Sequence, residues 1–303
     1  MNNRYAPIVL FVYNRLEHTK RTIEALQKNN NASKHELFIF SDGPKRGEEE
    51  NIKQLRNYLE EIEGFKNVNI INSPRNKGLA NSVIDGVTQI IEIFGKVIVL
   101  EDDLICAPSF LDYMDEALIL YEGQKQVYSI TGYSYLSEEE KQNVPDTYFL
   151  PIMSSWSWAT WKDRWDKFDS KAKGYTKLHK DKRLRSKFNY FDSYDWASML
   201  ENQMKSRFIQ FLTRSRKIDS WAIRWYWTLF NNNGLSLFPR DSLVINIGMD
   251  GSGTHCGVNK KERNAFSKQV IAYKNCIFAR KIQEDMFIRD KVVRSLKERN
   301  KKI

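Results

Sequence analysis

Short apolar runs alternate with longer stretches of helical periodicity through the first part of the chain. Pro7–Tyr13, Leu37–Phe40, Val68–Ile71 and Val97–Leu100 are strand-length runs rich in aliphatic and aromatic residues. The first and last are unbroken by polar positions, which predicts strands buried on both faces. Between them lie three apolar stripes at helical spacing: Leu16, Thr19, Ile23 and Leu26; then Ile52, Leu55, Leu59 and Ile62; then Leu79, Val83, Val87, Ile90 and Phe94. A fourth stripe, Leu111, Met114, Leu118 and Tyr121, follows Pro108, a residue suited to a helix start. The alternation β-α-β-α-β-α-β-α with short connections predicts an α/β fold: an open, mostly parallel sheet with helices on both faces and right-handed crossovers.

The second half has a different texture. A strand over Val127–Thr131 precedes Gly132-Tyr133. The segment from Leu150 to Trp165 then carries tryptophans at 156, 158, 161 and 165. Trp161 and Trp165, four apart, read as core. Trp156 and Trp158 sit in a serine-rich stretch and are candidates for an aromatic platform under a sugar ring. Lys162 to Lys217 is charged with a helical pattern and no evident chemistry. Asp219-Ser220-Trp221 opens a helix carrying Trp221, Trp225 and Leu229, and strand-like pieces follow at Leu235–Phe238 and Leu243–Ile247. The glycine-rich run from Gly248 to His255 can turn backbone N–H groups toward an anion.

Every distinctive polar loop of the first half follows a predicted strand: Asn14-Arg15, Asp42-Gly43, Arg75 to Gly78, and Glu101-Asp102-Asp103. In a parallel sheet these loops gather along one edge, where open α/β folds bind ligands. Three consecutive carboxylates resist burial without a cation or strong donors, and hard oxygen ligands favour Mg²⁺ or Mn²⁺ bridging a phosphate. Neither G-x-G-x-x-G nor a P-loop motif follows the first strand, which argues against a dinucleotide site or a P-loop.

No apolar run reaches the ~18 residues of a membrane span, and the N-terminus reads as a first strand instead of a signal peptide. Cys106, Cys256 and Cys276 are too scattered for a metal site and read as free thiols in a reducing cytoplasm. The net charge is +10, and Val258–Ile303 carries 14 Lys+Arg against 5 Asp+Glu, a difference of +9. A basic tail of this kind is either a solvated helical face or a contact for an anionic surface, such as the inner face of a membrane.

The run V-I-V-L-E-D-D-L-I-C-A-P-S-F-L-D-Y, Val97 to Tyr113, resembles the metal-binding strand and helix of GT-A (Rossmann-like) glycosyltransferases, in particular the N-acetylglucosaminyltransferase I type. The likeness extends over most of Pro7 to His255 and leaves the tail outside. It implies a nucleotide-sugar-binding half over 1–132, an acceptor-binding and catalytic half over 133–257, and a basic helical tail over 258–303. Asp103 would hold a divalent metal, Mn²⁺ or Mg²⁺, on the donor diphosphate. Glu101 and Asp102 would contact the donor's sugar and ribose. Asn14, Arg15, Asp42, Lys77 and Gly78 would line the rest of the donor site. Asp219 would be the catalytic base, Ser252 and His255 would close over the diphosphate, and Trp156, Trp158 and Trp221 would face the acceptor. One position departs from that pattern: Ser220 stands where the family has a second acid beside the base.

The function implied is a metal-dependent, inverting sugar transfer from a nucleotide-diphosphate donor, a UDP-sugar with UDP-N-acetylglucosamine one candidate, to a hydroxyl of a glycan or lipid-linked acceptor in surface polysaccharide synthesis. The enzyme would be cytoplasmic, with the tail able to reach the inner membrane face. Two rival readings are a sugar nucleotidyltransferase, which lacks its basic glycine-rich loop here, and a non-enzymatic carbohydrate- or nucleic-acid-binding protein. Nucleic acid is not an expected partner, because three carboxylates in the crevice would repel it.

Overall fold

The computed structural model describes residues 4–205, 220–250 and 276–302. The four predicted strands form as β1 (Ile8–Val12), β2 (Glu36–Ser41), β3 (Asn67–Asn72) and β4 (Lys96–Glu101), all parallel. The predicted helices follow them as α1 (Leu16–Gln27), α2 (Glu49–Leu59), α3 (Leu79–Phe94) and α4 (Phe110–Leu120). Between β4 and α4 runs β5 (Leu104–Cys106), and the second half adds β6 (Val127–Thr131), β7 (Thr147–Leu150), β8 (Trp158–Trp161), β9 (Leu235–Pro239) and β10 (Val244–Asn246). The large sheet has the order β3-β2-β1-β4-β8-β6-β9-β7, with β8 and β7 antiparallel to the rest.

Alternation along β1 explains the layers. Ile8, Leu10 and Val12 join a core with residues of α1, α2 and α4, whereas Val9 and Phe11 join a second core with α3. Successive strand side chains point to opposite faces, so one buried strand feeds both cores. The second core also holds the helix Trp221–Asn231 and the C-terminal helix Met286–Lys302.

Two expectations are corrected here. Trp158, read as part of a serine-rich sugar platform, lies on a strand together with Trp161, which is core as its spacing from Trp165 implied. They are three residues apart, an odd number, so they fall on opposite faces: Trp158 in the second core and Trp161 in the first. Both faces of β8 are covered, so no polar position marks its period of two. The tail is also more than a charged face. Ile288, Val292 and Leu296 are buried in the second core, and Lys291 and Arg294 both pair with Glu140. Residues just before that helix run beside β7, where the Ala279 amide donates to Thr147 and Phe149 bridges Glu284. Cys106 and Cys276 are free thiols, as read from their spacing, and Cys256 lies outside the described residues. Among the described residues no helix is long and apolar enough to cross a membrane.

Candidate active site

Parallel β1–β4 place their carboxyl ends, and the loops after them, along one edge. The antiparallel β8 begins at that same edge. After β4 the chain turns into β5, whose antiparallel partner β10 brings Ile247–Asp250 back over the acids: the Ile247 amide donates to the Asp103 carbonyl at 2.9 Å.

Asp102 and Asp103 are buried, 4% and 8% exposed. Their charge is met by Arg15 at the start of α1. Its Nη2 donates to Asp102 Oδ1 and, at 2.8 Å, to Asp103 Oδ2. The Arg15 Nη1 is buried and has no hydrogen-bond partner among the described residues. Burial lowers the guanidinium's pKa, but the two carboxylates overcome that and the net shift is upward. One and two turns further along the same face of α1, His18 Nε2 lies 3.1 Å from Asp250 and Thr22 donates to the Asp102 carbonyl at 2.9 Å. His18 and Thr22 were missed in the sequence, although their spacing from Arg15 puts them on its helix face. Gly248 packs so tightly that a Cβ there would stand 2.1 Å from Asp103 Oδ2 and 2.9 Å from Arg15 Nη1. Only a residue without a side chain lets the backbone approach both groups.

At the end of β2, Asp42 is also buried, yet its oxygens are committed. Oδ1 accepts from the amides of Gly43 and Lys77 at 2.8 and 2.9 Å, and Oδ2 from the Gly78 amide and the Asn76 side chain at 2.9 and 3.1 Å. Four donors fill a carboxylate's lone-pair sites. Asp42 is therefore the clamp of the loop between β3 and α3. Arg56 of α2 closes the same region by donating to the carbonyls of Ser41, Asp42 and Ser73. The Lys77 ammonium meets Asp85 at 3.0 Å, and the Asn14 side chain donates to Glu48 at 2.9 Å. Tyr13, also bonded to Glu48, has its hydroxyl pKa pushed to about 12 by burial first and that acceptor second.

Glu101 ends β4. Its carboxyl accepts from the Trp221 indole at 3.3 Å, and Trp221 stacks on Trp158 with centroids 5.0 Å apart. Burial, then the neighbouring Asp103, push Glu101 to about 8; burial likewise raises Asp102 to about 6 against the pull of Arg15. Trp158 is 0% exposed and Trp221 2%. A ring enclosed on both faces offers a sugar nothing to stack on, which speaks against the acceptor role read for Trp158 and equally for Trp221. Trp156 is half-buried and keeps that possibility. The helix after position 219 is capped by Ser220, whose hydroxyl accepts from the Ile223 amide. Asp219, Ser252 and His255 lie outside the described residues.

The donor set suits a hard divalent ion shared with a phosphate. Asp103 offers one carboxylate, and among the described residues no three His, Cys, Asp or Glu side chains form a cage. An ion here would take its other ligands from substrate phosphates and water, the usual habit of Mg²⁺.

A family model described as Glycosyl transferase family 2 matches residues 8–184. This stretch holds Arg15, Asp42, the acids of β4 and Trp156. The alpha-1,3-mannosyl-glycoprotein 2-beta-N-acetylglucosaminyltransferase of Arabidopsis thaliana is 31% identical over 100 residues, which are 32% of this chain and 21% of that one. The chain thus spans about a fifth of that relative's length. Among solved structures, the mannosyltransferase PcManGT from Pyrobaculum calidifontis, in complex with GDP-Man and Mn²⁺, is 11% identical, with 54% of this chain and 46% of that one covered and a TM-score of 0.36. An active-site mutant of LgtC is 12% identical over 57% of this chain and 65% of that one, with a TM-score of 0.36.

Proposed function

The chain belongs to glycosyl transferase family 2, and on that premise we propose that it moves a sugar from a nucleoside-diphosphate donor, with UDP the first candidate, to a hydroxyl of a glycan or lipid-linked glycan. Family membership makes the protein a glycosyltransferase with the GT-A fold, and it replaces the nucleotidyltransferase and non-enzymatic readings.

The observation that carries the proposal is the cluster at the end of β4. Two buried carboxylates, a guanidinium with an unspent buried N–H, and a side-chain-free backbone at Gly248 meet at one point. Anionic and cationic groups together suit a diphosphate bridged by a divalent ion. Arg15 would donate directly to a phosphate oxygen, and Asp103 would hold the ion. Bound Mn²⁺ or Mg²⁺ supplies Lewis-acid stabilisation of the diphosphate as it leaves. The Asp42 clamp shapes the loop of Lys77 and Gly78 against the nucleoside. Asp219 takes the acceptor hydroxyl's proton; one base opposite the leaving group gives inversion. Trp156 borders the acceptor. The ion pairs that Lys291 and Arg294 make with Glu140 leave the tail less charge for a membrane surface than composition implied.

The test is release of nucleoside diphosphate from a panel of UDP- and GDP-sugars with and without Mn²⁺, alongside thermal stabilisation by UDP plus Mn²⁺. Metal-dependent turnover of one donor and a matching rise in melting temperature are expected. Turnover indifferent to metal chelation would overturn the metal assignment.

A further inference from the structure

We propose that the basic segment of residues 171–187, the turn that follows it and the first turn of the C-terminal helix form one surface that docks the protein on an anionic lipid bilayer. Such docking goes beyond the transfer reaction and does not depend on which donor is used.

Charge comes first. Residues 171–192 carry 8 Lys+Arg against 2 Asp+Glu, a difference of +6. Lys177, Lys180, Lys182, Arg183 and Lys187 are exposed. Among the described residues, Arg185 is the one Lys or Arg of this segment that meets carboxylates, those of Glu201 and Asp195. Elsewhere the fold pairs its lysines: Lys125 meets Asp163, Lys141 meets Asp241 and Lys162 meets Asp166. The segment's two acids are occupied. Asp181 caps the helix Lys182–Phe188, and Asp192 accepts from the Ser186 hydroxyl at 2.6 Å. In that helix Leu184 and Phe188 pack on the second core, while Arg183 and Lys187, also four apart, share an exposed row.

The backbone then turns against its own preference. Tyr190, Phe191 and Asp192 have positive φ values of 46°, 59° and 54°. That left-handed region suits Gly, Asn or Asp and strains a bulky residue. The turn buries Tyr190, whose hydroxyl donates to Glu284 at 2.7 Å, and leaves Phe191 44% exposed. A turn that served only to bury Tyr190 would take a polar residue at position 191. A phenylalanine there adds apolar surface that the fold itself does not cover.

Glu284 leads into the C-terminal helix, whose first residues, Met286 and Phe287, are 67% and 53% exposed. The Arg289 guanidinium lies 4.8 Å from the Phe191 ring centroid, so the two segments meet. Lys187 and Glu284 line one cavity of about 260 Å³, which sets the end of the basic helix beside the same place. Apolar tips and cations without carboxylate partners thus share one side of the molecule. Charge alone suits any polyanion. The tips select a surface with hydrocarbon beneath its phosphates: rings and thioether enter the acyl boundary while Lys and Arg stay with the headgroups.

The full chain is mixed with vesicles of phosphatidylglycerol and phosphatidylcholine in equal parts, or of phosphatidylcholine alone, and bound protein is read by flotation. Binding to the anionic vesicles should exceed that to the neutral ones by roughly tenfold or more and fade as salt is raised. Each cation near such a surface is worth about fivefold, so Arg183→Gln with Lys187→Gln should lower affinity by roughly twentyfold. Lys180→Gln with Lys182→Gln serves if that pair does not fold. Phe191→Asn with Phe287→Gln should also weaken binding, yet keep the melting temperature, since Asn accepts the left-handed backbone. All these variants should retain the UDP–Mn²⁺ thermal shift of the wild type, whatever its size. Equal binding to both vesicle types, binding to neither, or undiminished binding by the cation variants overturns the inference. So does a DNA duplex that binds more tightly than the anionic vesicles, or a dimer in light scattering that the Phe191→Asn, Phe287→Gln variant dissociates. A melting temperature that falls in that variant would assign the rings to packing and overturn their docking role.

Discussion

At the end of β2, Asp42 accepts from four donors of its own neighbourhood; at the end of β4, Asp102 and Asp103 face a single guanidinium. Both sets are buried, and only β1 separates their strands. In the sequence they look alike, as acids just past a strand. Asp42 is used up in holding the loop of residues 76–78, and its negative charge is spread over backbone N–H groups. The β4 acids bind little of their own chain, and two of them are pushed above the ordinary carboxylate range. A carboxylate whose lone pairs are filled by its own fold is a scaffold. A carboxylate balanced only by one cation is ready for a ligand that brings better partners.

The largest effect concerns an acid outside both clusters. Asp219→Asn should lower turnover by roughly 10²–10⁴-fold and leave donor affinity unchanged. Since Ser220 caps the following helix, melting temperature should hardly move. Turnover near wild type would place the base elsewhere.

Next come the two acids themselves. Asp42→Ala strips four donors of their acceptor and should cost roughly 3 kcal/mol of stability, the scale of a lost charged hydrogen-bonding group. Asp103→Ala should preserve the melting temperature of the free protein and abolish the rise produced by UDP with Mn²⁺. If the two variants exchange these outcomes, the comparison between the strand ends is wrong.

Two glycines sharpen it from the backbone side. A Cβ at Gly43 would meet the Arg75 backbone at 2.3 to 2.6 Å, so Gly43→Ala should lower stability as the loop is forced apart. A Cβ at Gly248 would instead strike the Asp103 carboxylate, so Gly248→Ala should weaken UDP–Mn²⁺ binding more than it lowers the melting temperature. Denaturant unfolding and a donor titration on both variants distinguish the outcomes.

The smallest effect belongs to a third kind of acid, one serving an ion pair on the C-terminal helix. Glu140 is lowered below its ordinary value chiefly by its hydrogen bond to Arg294, with burial opposing and Lys291 assisting. Its folded pKa lies below its unfolded one, so its contribution is present above about pH 4.3 and fades as pH falls through the folded value. Glu140→Gln should therefore cost under about 1 kcal/mol at pH 7, and the cost should shrink as the pH falls through the folded value. A deficit that does not shrink as the solution is acidified would point to packing instead of charge.

Much of the first half was legible in the chain itself. Apolar runs of strand length and stripes of helical spacing are local properties, and four of each in alternation leave few ways to build a sheet. Parallelism then brings Arg15, Asp42 and Glu101 to Asp103 to one edge, so the neighbourhood of the site followed from order alone. Tertiary structure decided what each of these residues does there. Asp42 became a clamp because Asn76, Lys77 and Gly78 return to it from the end of another strand. Trp158 went into the core and Trp156 stayed half-buried because β8 inserts antiparallel between β4 and β6. The basic tail became a packed helix, and Arg299 reached Tyr133, a residue 166 positions away. Periodicity along a chain reports that a face will be buried, but not against what. The partner is chosen by register and by which charges find compensation, and both depend on segments far apart in the sequence.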